Sequence, residues 1–469
     1  MVYTNQHSFT RIEKIGGVKI LITGINGFIG NRLLKRLLEI QERLDSPYKI
    51  RCLSRKGKLN IMADKMKGIE TVKGDLSNYN DCLKALENID IAYYLVHSME
   101  GSSKDWKKFS EREKTVAENF MRAASVCKVK RIIYLGGLSS GKDNELSQHM
   151  YSRKVVGEIL KKSTAKVTIF RASVILGSGG SSFEMIRYLV ERLPVMVCPK
   201  WVLTKCQPIF VNDVINYLTE AINVKETEGK TFDIGGPDTL TYMHMMKIYA
   251  KTLGKTIRII IIPFLTPRLS SYWVDLVTPI KASLARPLID SLRHESVVRD
   301  NSVRELIPIE LKPFKEALEY CLNEERVTDK KNSNKNVKER TSFSTNYKIL
   351  LLSLIMLLAI GTTYYFLDER KEFLQPFWLS VAVLWYISIL FSIYFIRYGA
   401  RLGALVAGVV AWGSLFFWLL DNYYLVSGHS LLFSNPNQSE TLRDFAGVVI
   451  SAFTIITSHN IFHKIRFHI

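Results

Sequence analysis

The chain has 469 residues, a formal net charge of +20 and 47% hydrophobic residues, which is enough for two or three domains. No nucleic-acid-binding motif accompanies the positive charge, so we expect no nucleic-acid partner and attribute the charge to anionic lipid or a phosphorylated ligand. The six cysteines lack the spacing of metal ligands, so the sequence predicts no metal site and a reduced environment for the first part of the chain.

The first predicted element, after a polar tail, is a strand followed by a glycine turn and a helix. Residues 18–22 are apolar except for Lys19, three glycines follow at intervals of three, and residues 31–44 have helical apolar spacing. Glycines let the backbone approach a phosphate, and the N-terminus of a helix offers it free N–H groups. The pattern predicts a dinucleotide site, and a purely structural glycine turn is the alternative. The predicted cofactor contacts are Thr23, Gly24, Asn26, Gly27, Phe28, Ile29 and Gly30.

Strand and helix patterns then alternate along the chain, and the longest helix is predicted over residues 105–127. This alternation predicts a doubly wound, parallel, Rossmann-type sheet with helices on both faces. Such a sheet binds its ligand at the carboxyl ends of the strands. The later strands are predicted at residues 49–54, 69–74, 90–96, 131–137 and 166–172.

The end of the second strand bears on the choice between NAD and NADP. Ser54 and Arg55 follow this strand, and no acidic residue appears before Asp64. An acid is needed there to bind the ribose 2′-hydroxyl of NAD, whereas a cation suits the 2′-phosphate of NADP. The sequence therefore predicts that NADP(H) is preferred over NAD(H), with Arg55 reading the phosphate. A solvated basic loop is the alternative.

The third and fourth strands supply the remaining predicted cofactor contacts. Asp75 follows the third strand, where it could accept a hydrogen bond from the adenine amino group or cap the next helix. His97 follows the fourth strand, near the expected nicotinamide, and could instead be a satisfied strand-end histidine. The contacts predicted here are Asp75, Leu76, Leu95, Val96 and His97.

These motifs resemble those of an atypical, extended short-chain dehydrogenase/reductase. The resemblance is closest to the YbjT-like NAD(P)-binding branch, whose members are often labelled nucleoside-diphosphate-sugar epimerases. It implies a Rossmann core over residues 18–171 and a smaller α+β substrate part over residues 172–325. The matching stretches are TGINGFIG (23–30), GDL (74–76), YLVHSM (94–99), LGGL (135–138), 181–214, 232–238 and 265–279.

The catalytic segment departs from the pattern of that family. Active members resemble one another in a Tyr-x-x-x-Lys helix after the fifth strand. Here the alignment with that pattern places His149 at the tyrosine position and Arg153 at the lysine position, and Tyr151 has Val155 four residues on. Histidine can exchange a proton near neutral pH, so His149 is the predicted acid or base, although an ordinary helical histidine is the alternative. The predicted catalytic residues are Ser139, Ser140, His149, Tyr151 and Arg153.

The last part of the chain is predicted to cross a membrane. Residues 326–346 are polar and basic and predict a linker, and four apolar spans follow within residues 347–469, each near the 20 or so residues that a crossing requires. Basic flanks place both termini and the Rossmann domain on the cytoplasmic side of a bacterial-type inner membrane. The predicted spans are residues 347–367, 373–396, 402–420 and 445–462.

Together these features predict a membrane-anchored NADP(H)-dependent oxidoreductase or epimerase-like enzyme. Its expected partners are the lipid bilayer and a small-molecule substrate, which could be lipid-soluble because an anchor concentrates the enzyme near such molecules. The alternative is a non-catalytic NAD(P)H-binding sensor or scaffold of a membrane complex, which the missing Tyr-x-x-x-Lys pair favours. The sequence predicts no particular protein partner.

Overall fold

The structure is a computed structural model of the whole chain. It describes residues 17–42, 48–57, 68–96, 106–138, 146–262, 267–278, 280, 282–333, 337–366, 374–397, 401–428, 432 and 438–464. Of the predicted tail at residues 1–17, only Gly17 belongs to this set. The chain divides into two compact units. The first comprises Met1–Val190, Pro194–Ser271 and Ala282–Glu325, and the second comprises Glu191–Leu193, Tyr272–Lys281 and Arg326–Ile469.

The strands are, in chain order, β1 (Lys19–Ile22), β2 (Lys49–Ser54), β3 (Ile69–Lys73), β4 (Ile91–Tyr94), β5 (Arg131–Gly137), β6 (Lys166–Ala172), β7 (Ile175–Leu176), β8 (Val195–Pro199), β9 (Lys205–Cys206), β10 (Ile209–Phe210), β11 (Thr231–Ile234), β12 (Leu240–Thr241) and β13 (Arg258–Ile262). The helices are α1 (Phe28–Gln41), α2 (Tyr79–Leu86), α3 (Trp106–Val126), α4 (Gln148–Leu160), α5 (Ser181–Arg192), α6 (Val211–Glu220), α7 (Tyr242–Thr252), α8 (Pro267–Val277), α9 (Ala282–Ser291), α10 (Ser302–Leu306), α11 (Phe314–Ser333), α12 (Val337–Phe366), α13 (Pro376–Arg397), α14 (Arg401–Asp421), α15 (Tyr424–Ser427) and α16 (Gln438–Lys464).

The first unit is built on a parallel sheet of seven strands, as the sequence predicts. Its order is β11-β6-β5-β4-β1-β2-β3. The order reverses between β1 and β4, which are neighbours although two strands separate them in the chain. A crevice opens at such a reversal, beyond the carboxyl ends of the strands, and it is where ligands bind in folds of this type.

Strand β11 lies beyond the residues predicted as the Rossmann core. The predicted core ends at residue 171, but Thr231–Ile234 pairs with β6 and completes the sheet. A parallel neighbour reaches its place through a long crossover, so the short apolar run that forms β11 carries no local sign of its partner.

Both faces of the sheet are covered by helices, and the alternating residues of β1 show this directly. Ile20 and Ile22 pack in one apolar cluster with residues of α1 and α6. Leu21 packs in another with residues of α2, α3 and α4. A strand buried on both faces needs an unbroken apolar run, and that run is the feature that identifies β1 in the sequence.

Three short sheets follow in the region that the sequence assigns to the substrate side. Strand β7 pairs with β10, and β8 pairs with β13, both in parallel. Strand β9 pairs with β12 in antiparallel orientation. The mixture of short strands and helices agrees with the predicted α+β character of this part.

Four helices of the second unit are long and apolar enough to cross a membrane, among the residues that the structure describes. They are α12, α13, α14 and α16, and the apolar stretches within them are Asn346–Thr363, Pro376–Ile396, Leu402–Asp421 and Gln438–Phe462. The four predicted spans are therefore confirmed as helices of sufficient length and hydropathy.

Helices α14 and α16 pack closely, and each carries buried, mostly small residues with coiled-coil spacing. A Cβ on Gly408 would lie 2.9 Å from the Ser458 hydroxyl, and one on Gly447 would lie 2.5 Å from the Trp418 ring. Small residues let two helix backbones approach closely within a membrane. These buried residues are Ala404, Ala407, Ala411, Ser414, Trp418 and Asp421 on α14, and Asp444, Gly447, Ser451, Thr454, Ser458 and Ile461 on α16.

Most of the predicted linker at residues 326–346 is helical. Helix α11 continues to Ser333 and α12 begins at Val337, while residues 334–336 lie outside the described set. Helix α12 has 30 residues, which is about 45 Å at 1.5 Å per residue. This length exceeds the roughly 30 Å thickness of a hydrocarbon core. The apolar span therefore occupies only part of α12, and the polar first turns of the helix precede it.

Candidate functional site

The glycine turn between β1 and α1 accepts no side chain at two of its three glycines. Gly24 has a φ of +67°, and a Cβ there would lie 2.5 Å from the carbonyl oxygen of Leu95. A Cβ on Gly30 would lie 2.3 Å from the carbonyl oxygen of Gly24. The turn is therefore a close packing of backbone on backbone, which the sequence predicts.

Thr23 joins the two strands that border the crevice. Its hydroxyl donates to the carbonyl oxygen of Tyr93 at 2.8 Å and accepts from the backbone N–H of Leu95 at 3.1 Å. Thr23 is completely buried. This predicted cofactor contact therefore shapes the crevice by holding β1 and β4 together at their carboxyl ends.

The outer part of the turn is open to solvent. Asn26 and Gly27 are exposed, and Gly27 precedes α1 without a side-chain cap for the helix. The Asn26 amide nitrogen lies 3.3 Å from the Ser54 hydroxyl at the end of β2. The N-terminus of a helix carries a partial positive charge and attracts anions, so this open end suits a phosphate group.

A second loop closes over the start of α1. A Cβ on Gly177 or Gly180 would lie less than 3 Å from the Phe28 ring. The Arg32 guanidinium stacks on that ring at 4.6 Å and donates to the carbonyl oxygen of Ser178 at 2.8 Å. Arg32 has no role in the sequence prediction, because its partner lies 146 residues further along the chain.

The carboxylate of Asp75 faces positive charge. It accepts two hydrogen bonds from Ser77, one from the backbone N–H at 2.9 Å and one from the hydroxyl at 2.8 Å. The backbone bond is the main cause of a lowered Asp75 pKa, and the nearby cations Arg55 and Arg112 contribute. Asn78, not Asp75, caps α2, so the helix-cap alternative for Asp75 is wrong.

The structure thus brings Arg55 and Asp75 together at the end of β2 and β3. Arg55 is exposed and Ser54 is buried. Arg112, from α3, joins this cluster and escaped sequence reasoning because nothing near it in the chain signals the approach. Leu76 is buried in the core, whereas Leu95 and Val96 are partly exposed at the crevice.

His149 lies in the first turn of α4 and is held by a residue of α9. Its Nδ1 atom is 3.2 Å from the Ser291 hydroxyl. That hydroxyl donates its hydrogen to the carbonyl oxygen of Pro287 at 2.7 Å, so it accepts from Nδ1–H. Nδ1 therefore carries the proton, and Nε2 of the neutral ring is the basic nitrogen.

The same hydroxyl connects His149 to the cap of its own helix. Ser147 caps α4 by accepting from the backbone N–H of Met150 at 3.2 Å. The Ser147 hydroxyl lies 3.3 Å from the Ser291 hydroxyl. Because Ser291 donates to Pro287, Ser147 is the donor in this contact and Ser291 is the acceptor. The start of α4 and the His149 ring are thus fixed by one network.

Arg153, at the expected lysine position, is held beneath the site by β5. Its Nη2 donates to the carbonyl oxygen of Leu135, and its guanidinium lies 5.1 Å from the centre of the Tyr134 ring. Its Nη1 is buried and has no hydrogen-bond partner among the described residues. A buried guanidinium N–H without a partner is costly, and a ribose or phosphate oxygen would satisfy it.

Tyr151 is not brought to the same place as His149. It is 46% exposed and lines an open groove between α3 and α4 with Lys114, Glu118 and Lys154. Two residues along a helix correspond to about 200° of rotation, so His149 and Tyr151 lie on different helix faces. The structure does not support a shared catalytic role for these two residues.

Three predicted site residues lie outside the described residues. They are His97, Ser139 and Ser140. Within the described part of the chain, no group of three or more His, Cys, Asp or Glu side chains could hold a metal ion.

Comparison with known proteins agrees with this geometry. The sequence profile described as the NAD dependent epimerase/dehydratase family matches residues 20–235. Residues 20–235 are therefore similar to this family. The matched region begins in β1 and, through β11, includes every strand of the large sheet.

Similar proteins extend this comparison beyond the profile. A mitochondrial NADH dehydrogenase [ubiquinone] 1 alpha subcomplex subunit 9 from Arabidopsis thaliana is 20% identical over 328 residues, which is 64% of this chain and 77% of that protein. A nucleoside-diphosphate-sugar epimerase from Staphylococcus aureus has a TM-score of 0.50 at 16% identity and covers 64% of this chain and 99% of its own.

A further similar structure is MoeE5 in complex with UDP-glucuronic acid and NAD. It has a TM-score of 0.51 at 15% identity and covers 66% of this chain and 99% of its own. At such identities the structures show a shared fold. The family is NAD-binding, and the backbone cradle at Gly24–Gly30 and the unpartnered Nη1 of Arg153 fit a dinucleotide.

Proposed function

We propose that this protein is a membrane-anchored NADP(H)-binding oxidoreductase, or epimerase-like enzyme, that acts at the cytoplasmic face of the membrane. The observation that carries the proposal is the glycine turn, where Gly24 and Gly30 leave room for backbone only while Asn26 and Gly27 remain open. This arrangement suits the pyrophosphate of a dinucleotide. The four apolar helices supply the anchor.

The preference for NADP(H) is inferred from the end of β2. Arg55 is exposed there and close enough to Asp75 to lower its pKa, so a cation stands where NAD-selective folds need an acid. Arg112 adds a second cation near Asp75. A 2′-phosphate would bind this pair of guanidinium groups by charge-assisted hydrogen bonds.

The proposed chemistry uses His149 to move a proton at the substrate oxygen. A bound nicotinamide supplies or accepts a hydride. Because the Ser291 hydroxyl accepts from Nδ1–H, the Nε2 atom of His149 takes the proton from a substrate hydroxyl, or returns it to a carbonyl oxygen. Arg153 stays charged and would hold a ribose hydroxyl through Nη1.

The substrate class follows from the anchor. Four membrane helices hold the domain at a bilayer surface, which raises the local concentration of the enzyme near lipid-soluble carbonyl compounds or alcohols. We therefore propose a lipid-soluble substrate over a water-soluble one. The positive flanks of the spans support the cytoplasmic placement of the domain.

A non-catalytic role is the second candidate function. The contacts of Arg153 and Tyr151 favour it. The Arg153 guanidinium is bonded to the Leu135 carbonyl oxygen and Tyr151 faces the α3–α4 groove. Helix α4 has no Tyr-x-x-x-Lys pair, since Val155 stands four residues after Tyr151. The Arabidopsis relative is named as a subunit of an NADH dehydrogenase subcomplex, and this protein would bind NADP(H) as a sensor or scaffold of a complex.

The test is a titration of the purified full chain in lipid nanodiscs with NADPH and with NADH, followed by a turnover screen. Binding of NADPH with oxidation in the presence of quinones, lipid carbonyls or sugar nucleotides supports the enzyme, and the reacting compound names the substrate class. Tight NADPH binding without turnover supports the sensor or scaffold. Binding of neither nucleotide would refute both candidates.

A further inference from the structure

The sheet formed by β8 and β13 has one uncovered face. Val195, Val197 and Ile260 share this face, since Ile260 is paired with Val197 and successive residues of a strand alternate between faces. Their exposures are 49%, 39% and 51%. Parallel sheets are normally covered on both sides, so this apolar face, made of these three residues, is unusual.

On the opposite face of the same sheet the residues of β8 are packed, whereas Ile261 of β13 is 38% exposed. Met196 and Cys198 are buried in the first unit. Leu203 is also exposed, and it belongs to the short 3-10 turn that follows β8 in the chain. A concentrated exposed apolar surface on an otherwise packed domain marks a site of interaction with a protein or a membrane.

The charges in the two chain segments that contain β8 and β13 are of one sign. Residues 194–206 and 253–262 contain no Asp or Glu. Their four basic side chains are all exposed and are Lys200, Lys205, Lys255 and Arg258. An apolar surface rimmed by Lys and Arg is complementary to the headgroup region of an anionic bilayer.

Chain connectivity brings these strands within reach of a bilayer. Strand β8 begins two residues after Glu191–Leu193, and α8 begins five residues after β13 ends. Glu191–Leu193 and Tyr272–Lys281, which includes most of α8, group with the long apolar helices of the second unit. Each residue spans at most about 3.6 Å, so only short chain segments connect the two strands to these parts of the second unit.

We propose that the apolar face of β8 and β13 contacts the surface of the membrane that the chain spans, with Lys200, Lys205 and Arg258 on anionic headgroups. The domain is then held to the bilayer at a second point besides its helices. This proposal rests on the membrane anchoring proposed above and is independent of cofactor binding.

The direct test places a fluorescent label on the apolar face of the full chain in nanodiscs. The label is attached at Ile260→Cys in a Cys127→Ser background, because the other five cysteines are buried. Nitroxide groups on the upper acyl chains of the lipid serve as quenchers. The matched control is Val126→Cys, an equally exposed apolar position at the end of α3.

We expect several-fold stronger quenching at Ile260→Cys than at Val126→Cys in nanodiscs rich in phosphatidylglycerol. The triple variant Lys200→Glu, Lys205→Glu, Arg258→Glu should lose most of this quenching. The charge-matched control changes three other exposed lysines to Glu. They lie at the amino-terminal edge of the large sheet, and this change should leave the quenching unaltered. The control positions are Lys162, Lys166 and Lys230.

Two results would overturn the proposal. Equal, weak quenching at both labels in protein that co-elutes with nanodiscs would mean that the face does not touch lipid. A label at Ile260→Cys that is shielded only when two copies share a nanodisc would assign the face to a second copy of the chain. Failure to enter nanodiscs would reject the anchoring itself and is recognised by separate elution.

Discussion

The Nδ1 atom of His149 and the hydroxyl of Ser291 lie 3.2 Å apart although 142 residues separate them in the chain. Because Ser291 donates to Pro287, the contact fixes which nitrogen of the imidazole carries the proton. A histidine that exchanges protons with a substrate needs one defined basic nitrogen. Ser291 is therefore a positioning residue for His149.

Substitution of Ser291 should lower turnover without weakening cofactor binding. We expect Ser291→Ala to reduce kcat about tenfold and to shift the lower limb of the pH–rate profile, and His149→Gln to reduce kcat about 100-fold or more. Ser291→Thr keeps the hydroxyl and should restore most of the activity. An unchanged pH profile in Ser291→Ala, with kcat equal to wild type, would remove the proposed role.

Arg55 should determine the choice between the two nucleotides. We expect Arg55→Asp to raise the Kd for NADPH about 10- to 100-fold, as the loss of a hydrogen bond to a charged group implies, and to leave the Kd for NADH nearly constant. Calorimetric titration measures both. Lys166→Asp is the control, because it makes a comparable charge change at the exposed amino-terminal end of β6. Equal losses for both nucleotides would contradict the assignment.

The glycine turn should tolerate a methyl group at one position but not at another. A Cβ on Gly30 would overlap a backbone carbonyl at 2.3 Å, whereas one on Gly27 would lie 3.1 Å away. We expect Gly30→Ala to destabilise the first unit by about 1–3 kcal/mol and to abolish NADPH binding. Gly27→Ala should lose less thermal stability than Gly30→Ala, because its contact is longer. Normal stability and binding in Gly30→Ala would mean that the turn is looser than the structure indicates.

Because of Asp213, the first unit should be more stable in mild acid than at higher pH. Burial raises the pKa of its carboxyl to about 6, against an ordinary value of 3.8, although it accepts from the backbone N–H of Lys312. The folded state therefore binds a proton more tightly than the unfolded chain, and the stability gained at low pH is lost as the pH rises from about 4 through 6. The difference corresponds to about 3 kcal/mol.

Asp213→Asn tests this assignment, because an amide keeps the oxygen that accepts from Lys312 and carries no charge. We expect the variant to be more stable than the wild type at pH 8, and its melting temperature to rise less on acidification to pH 5. Differential scanning calorimetry of the full chain measures both. The same pH dependence in the two proteins would place the effect elsewhere.

Features encoded within a few residues could be predicted from the sequence. The predicted bounds of β2, β5 and β6 coincide with the observed strands, because each is an apolar run bounded by polar residues or glycine. The helix after the glycine turn begins at Phe28 instead of residue 31. A glycine can precede a helix directly, and the apolar spacing alone does not locate its first turn.

Features that depend on distant parts of the chain could not be predicted. Ser291 acts on His149 from another helix, and Arg112 reaches Asp75 from α3. The alignment drew attention to residues 149–153, but only the packing separates Tyr151 from His149. The helix over residues 337–346 was also not predicted, because a polar composition of this kind is common to helices and linkers.

Strand β11 has a consequence for folding during synthesis. Until Thr231–Ile234 leaves the ribosome, β6 is an edge strand with unpaired backbone groups, which can pair with other chains. The 58 residues between β6 and β11 take about 3–12 s to translate at 5–20 residues per second. Helix α12 starts at Val337, so the sheet can close before the first apolar span is made. A nascent chain halted between these points should already resist proteases, whereas one halted before β11 should not.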